Sequence, residues 1–147
     1  MPIEYEIDHE HRRVVATAHG SLTPEEIFAY QREVWSRSDI ARYDELVDMS
    51  DVQRIVEATP EGMRDLAHMS AEMDASDGTS KFAIVAPQDV AFGLGRMYGT
   101  YRIMDPHSTK EVAVFRSRHA AMMWLGDEDQ AMGPAIRPIP AREDARA

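Results

Sequence analysis

His9 and His11 stand two residues apart with Asp8 and Glu10 beside them, so on one strand face the two imidazoles could hold a metal ion. No third ligand is anchored nearby in sequence, and a polar hairpin turn accounts for the same residues. His68 and Glu72 are four apart, a spacing that places both on one helix face. There they could bind a metal, exchange a proton, or form an exposed pair contributing about 0.3 kcal/mol. Thr59 precedes Pro60-Glu61. Its hydroxyl serves as a helix N-cap, and a phosphate at that helix end would also be electrostatically tolerable. Arg96 has Phe92, Gly93, Gly99 and Thr100 at helical spacing. A long cation beside glycines has room to reach a bound anion, or an acid of the fold such as Asp89 or Asp48.

The remaining chemistry is mostly absent. No Ser-His-Asp elbow, metalloprotease helix or P-loop is present. Gly93-Leu94-Gly95 lacks the third glycine of a dinucleotide fingerprint and lies in a helical pattern. Glycines at 93, 95 and 99 each cost a helix about 1 kcal/mol, which close packing on another element or a second copy would offset. The ten Met residues gather late in the chain, with Met63, Met69, Met73, Met97, Met104, Met122 and Met123 on or near helical segments. They read as adaptable core or as the wall of an apolar groove. For such a groove the candidate lining is Phe92, Arg96, Met97, Tyr98 and Tyr101. No catalytic set emerges, no metal or cofactor is expected, and the chain reads as a binding module rather than an enzyme.

Composition narrows the partners. Without cysteine, disulfides, thiolate metal sites and thiol nucleophiles are excluded, which fits a reducing cytoplasm. A formal net charge of −10 argues against nucleic acid and anionic membranes. The apolar runs are too short to span a bilayer, and the first residues lack a signal-peptide pattern.

The elements that must position these residues follow from periodicity. Ile3, Tyr5 and Ile7 alternate with acids and predict a half-buried strand, joined by the Asp8–His11 turn to a second strand over 13–18 that ends at His19-Gly20-Ser21. Thr23-Pro24-Glu25-Glu26 starts a helix reaching about Ser38, with Ile27, Tyr30, Val34 and Trp35 as its buried stripe. A third strand over 43–49 leads into an expected loop at 50–58, carrying Ser50 and Asp51 at the rim of the sheet. The second helix starts at Thr59 and buries Met63, Leu66, Ala67, Ser70 and Met73. Phe82–Ala86 is apolar on both faces, as in a central parallel strand. A third helix opens at Pro87-Gln88-Asp89 with the stripe Val90, Leu94, Met97, Tyr98 and Tyr101. A fifth strand over 111–115 and a short helix capped by Ser117 complete residues 1–126. Residues 127–147, acidic and then rich in Pro and Ala, read as a flexible tail, laid on the surface through Ile136 and Ile139. The order β-β-α-β-α-β-α-β-α predicts an α/β fold: a mixed five-stranded sheet with four helices.

That order, with Val47-Asp48-Met49-Ser50-Asp51-Val52, Val85-Ala86-Pro87, Phe92 to Tyr98, Val114-Phe115-Arg116 and Ala121 to Leu125, resembles the STAS-like or SpoIIAA-like bacterial family. The resemblance covers roughly residues 3 to 126 and implies a regulatory or protein-interaction module. Antagonists of this family carry an Asp-Ser pair before the regulatory helix, whose Ser a kinase phosphorylates. Here the stretch is Val56-Glu57-Ala58-Thr59-Pro60, with Thr59 the nearest hydroxyl. The resemblance implies a partner docking at Ser50, Asp51 and Thr59. The related topology of CRAL-TRIO domains implies the alternative, a small apolar-ligand or lipid carrier. A glycine-faced helix and an open sheet edge also invite a homodimer.

Overall fold

In the computed structural model, residues 3–126 are described. The expectations for the tail, Ile136 and Ile139 included, lie outside them. The chain order is β1 (Ile3–Asp8), β2 (Arg13–Leu22), α1 (Pro24–Trp35), β3 (Asp44–Ile55), α2 (Pro60–Glu72), β4 (Ser80–Val85), α3 (Asp89–Met104), β5 (Lys110–Phe115) and α4 (Arg118–Leu125), with a 3-10 turn at Ser38–Ile40. The strands lie in sequence order in one sheet, β1 antiparallel to β2 and every other pair parallel. The expected mixed five-stranded sheet and its four helices are therefore present.

Alternation in the strands divides the core. Val14, Ala16, Val47, Phe82 and Ile84 face α1, α2 and α3. Leu46, Ala83 and Val85 face the opposite way and are covered by Ala121, Met122 and Leu125 of α4. Helix starts were legible because local chemistry sets them. Thr23 and Glu26 form a reciprocal capping box, in which the Thr23 amide donates to Glu26 Oε1 at 2.8 Å and the Glu26 amide to Thr23 Oγ1 at 3.3 Å. Thr59 accepts from the Gly62 amide at 3.0 Å, and Ser117 from the Ala120 amide at 3.1 Å.

Three expectations are corrected. Strand β2 does not end at His19-Gly20-Ser21: it continues to Leu22, with register shifts on either side of Gly20, whose φ is +65°. Strand β3 likewise continues through the segment expected to be a loop, as far as Ile55. Pairing of β3 with β4 stops at Asp48–Val85, whereas pairing with β2 continues to Leu22–Ile55. The two strands thus overhang the carboxyl end of the sheet as a ribbon (bulged, not flat), which strand patterning alone does not report because Gly and Ser break the alternation. Helix α1 stops at Trp35 rather than near Ser38.

The buried face of α3 also differs. It consists of Ala91, Gly95, Tyr98, Gly99 and Arg102, while Val90 is 72% exposed and Leu94, Met97 and Tyr101 are partly exposed. A Cβ at Gly95 would lie 3.3 Å from both methyls of Val114, and one at Gly99 would lie 3.6 Å from Val112. These glycines let α3 sit close on β5, so they are not available to a second copy. Gly93 is exposed and faces open space.

Candidate functional site

Because β2, β3 and β4 run parallel, the helices that follow them all begin at the carboxyl end of the sheet. Helix α2 packs along α3, whereas α1 and α2 touch at only a few points. Near their carboxyl ends the Gln31 amide donates to Met73 Sδ at 3.7 Å. Ile27, Met49, Ile55 and Leu94 line an opening while remaining partly exposed. Val47, in the central strand, is partly exposed as well. The opening leads to a cavity of about 100 Å³ between the sheet and the three helices. Its walls include Leu66, Met63, Phe82, Ile84 and Ala91, and they are almost wholly apolar.

The lining also contains polar groups. Five side chains with polar atoms are among the lining residues: Tyr30, Gln31, Glu45, Ser70 and Tyr98. Glu45 sits on β3 at a position whose neighbours on the same face are apolar, and it is 2% exposed. Its Oε1 accepts from Lys110 Nζ at 3.0 Å. Its Oε2 accepts from the Tyr30 hydroxyl at 2.8 Å and from Trp35 Nε1 at 3.0 Å. Lys110 Nζ also stands 3.1 Å from the centre of the Trp35 ring. Burial pulls the Lys110 ammonium below its ordinary pKa, opposed by the Glu45 charge. Burial, then Glu45, pushes the Tyr30 phenol well up.

A second buried pair stands beside the first. Arg102 donates to Asp74 Oδ2 at 2.6 Å and to the Tyr98 hydroxyl at 2.5 Å. Asp74 also accepts from the Thr109 amide at 2.9 Å, which ties the end of α2 to the start of β5. Burial raises the Tyr98 phenol, against the pull of Arg102. The Ser70 hydroxyl, on a residue 1% exposed, has no hydrogen bond of regular geometry among the described residues. It lies close enough to Tyr98 to lower that phenol's pKa. A buried hydroxyl left without a well-formed bond costs about 1–3 kcal/mol.

Of the groove residues expected from sequence, only Tyr98 lines this cavity. The Phe92 ring lies under Arg116 at 4.0 Å, and Tyr101 under Arg64 at 5.6 Å. Met97 is partly buried in the cluster formed with α2. Arg96 is exposed and has no ion-pair partner among the described residues; Asp89 is taken by Arg116 at 2.7 Å and Asp48 by Arg118 at 3.0 Å. Ser50 and Asp51 lie exposed on the overhanging ribbon, not on a rim loop. The Ser50 hydroxyl donates to Asp48 Oδ1 at 2.6 Å, and Asp51 approaches His19 at 3.8 Å. Thr59 is exposed at the start of α2, whose Met63 lines the cavity.

The histidine candidates have carboxylate or phenol partners. His9 Nδ1 bonds the Tyr43 hydroxyl at 2.8 Å, and His11 Nδ1 bonds Asp8 at 2.7 Å. His68 lies 2.8 Å from Asp105 and 3.4 Å from Glu72. No cluster of three metal-ligating side chains occurs among the described residues. No helix among them is long and apolar enough to cross a membrane.

No family model matches the chain, and no curated protein matches it significantly. Among solved structures it is similar to an uncharacterized protein from the DUF3478 family with a SpoIIAA-like fold, from Shewanella loihica PV-4. The TM-score is 0.53 at 15% identity, over 84% of this chain and 93% of that one. At that identity the likeness concerns the fold alone, and the fold of this chain is SpoIIAA-like.

Proposed function

We propose that this SpoIIAA-like module binds a small, largely apolar molecule between α1, α2 and α3, and that binding rather than catalysis is its task. The observation that carries the reading is the partly exposed Val47. A valine in the central strand of a covered sheet is ordinarily sealed, and here Val47 stays partly exposed and lines a cavity of about 100 Å³. Ligand sites of open α/β sheets lie beyond the carboxyl ends of the strands, where this opening is. Size limits the occupant. An apolar cavity of about 150 Å³ takes up benzene, so this smaller one encloses only a short alkyl body, and any longer chain must leave through the mouth beside Ile27 and Leu94.

Native mass spectrometry of gently purified protein tests this, followed by denaturation of the same sample. Added mass that departs on denaturation is expected. Val47→Phe fills the base of the opening, so the variant should fold and carry no added mass. Bare wild-type protein that also takes up no short apolar compound in titration would remove the reading.

A second reading rests on three exposed residues: Ser50 and Asp51 on the ribbon, and Thr59 at the start of α2. On this reading a protein partner docks on one or more of these exposed residues. Thr59→Asp keeps an N-capping side chain and adds a charge. Loss of a captured partner at unchanged melting temperature supports docking there; unchanged capture removes it.

A further inference from the structure

We propose that the outer face of α3 is a self-association surface, on which a second copy of this chain docks with its own α3, the two helices antiparallel and crossing beside Gly93.

The face is apolar and uncovered. Val90, Gly93, Met97, Thr100 and Met104 recur at alternating spacings of three and four, which aligns them along one side of the helix. The opposite side carries Ala91, Gly95, Tyr98 and Arg102, which are buried. Among the described residues the large apolar side chains that stand exposed are Val90, Ile103 and Met104, at 72%, 78% and 71%, and all three belong to α3. Gly93 is exposed in the same row. Gly95 and Gly99 let α3 approach Val114 and Val112, whereas a Cβ at Gly93 would meet nothing within 4 Å. Within one copy, then, Gly93 weakens the helix relative to alanine with no close contact to offset it. The backbone of another helix, packed at that point, supplies one.

Charge identifies the occupant. The chain carries a formal net charge of −10, so most of its surface repels a second copy. Beside this row stand one acid and one base, Asp89 and Arg96, seven residues and thus nearly two whole turns apart on the same flank. Arg96 is exposed and has no ion-pair partner among the described residues. Asp89 meets Arg116 through Oδ1 at 2.7 Å, and 92% of its side chain stays open to solvent, so it can accept from a second cation. A two-fold axis passing beside Gly93 lies midway between Asp89 and Arg96. It brings Asp89 of each copy opposite Arg96 of the other, which makes two reciprocal ion pairs. The same axis lays Val90 of each copy over the bare backbone at Gly93 of the other. A parallel pair in the same register would instead set Arg96 against the other flank, Leu94 and Tyr101, where no acid stands.

The contact uses the first turns of α3, at the small end of specific interfaces, so half-association is expected on the order of 100 µM. Sedimentation equilibrium of the full chain across that range should show monomer and dimer, with added salt shifting the balance to monomer. Gly93→Leu places a side chain at the crossing point. The position faces open space within one copy, so the variant should fold, which circular dichroism checks, and associate at least about tenfold more weakly. Arg96→Asp sets acid against Asp89 and should weaken association to a similar degree, whereas Arg96→Lys keeps the charge and should retain the dimer. A chain that stays monomeric at every concentration overturns the proposal. So does a dimer that survives either Gly93→Leu or Arg96→Asp unchanged, because the second copy is then not seated across Gly93 with those pairs.

Discussion

Glu45 and Leu46 are neighbours in the chain, both are buried, and they lie on opposite faces of the sheet. Leu46 packs with Ala83, Val85, Ala121, Met122 and Leu125 in an apolar layer under a single helix. Glu45 points into a layer built from three helices, where it holds Lys110, Tyr30 and Trp35 beside a cavity. One face is closed by shape and the other by paired polar groups around a space. One short helix can follow a sheet closely, whereas three helices must also pack on one another. Here α2 packs along α3, and α1 touches α2 at only a few points. The cavity lies in that layer, between the sheet and the helices.

The comparison can be broken at its strongest point first. Glu45→Gln leaves Lys110 buried without its counter-charge and should lower stability by about 3–5 kcal/mol. Leu46→Ala, on the closed face, should cost about 3 kcal/mol through the void it leaves. Urea unfolding of both variants measures the two. A loss below about 1 kcal/mol for Glu45→Gln would mean that the polar face does not depend on the pair.

A smaller test contrasts two glycines of α3. Gly93→Ala places a methyl in open space and should gain about 1 kcal/mol, the helix propensity difference. Gly95→Ala puts its methyl 3.3 Å from both Val114 methyls and should gain nothing or lose stability. Equal gains in thermal unfolding would show that α3 is not held tightly on β5.

The smallest effect belongs to an exposed cluster, set against the buried pairs. His68 titrates above its ordinary value because Asp105 accepts its hydrogen bond and Glu72 adds attraction. Asp105 is held down to about 2, first by the His107 amide and then by His68. A raised histidine contributes stability fully below its ordinary pKa and loses it as pH rises through the folded value. The lowered Asp105 contributes above the ordinary carboxylate range and loses it as pH falls towards about 2. The interaction is therefore strongest between those limits. Histidine NMR titration should find His68 above the ordinary imidazole value, and Asp105→Asn should bring it down. An unmoved titration would remove the cluster.

Much of the candidate site stood in the sequence without being recognisable as a site. Tyr30 and Ser70 fall at the buried spacing of their helices, and Tyr98 falls on the inner stripe of α3. Strand period two also places Glu45 on the face of Val47 and Met49. An acid at a core-facing strand position was the one signal that could have flagged the polar lining. Its partner Lys110 is 65 residues away, and no local pattern joins the two. The stripe of α3 misled because its buried face is made by small residues and Arg102, which a count of large apolar side chains overlooks.

By itself the sequence determined the order of elements, the helix starts and the two-faced strands, because capping and periodicity act over a few residues. It also excluded thiol chemistry through the lack of cysteine. Tertiary structure decided how far β2 and β3 run past the sheet, since their pairing depends on each other and not on local alternation. It decided how little α1 touches α2, and where the cavity lies. It also decided which buried charges meet, because these ion pairs are made by side chains that only the folded chain brings together.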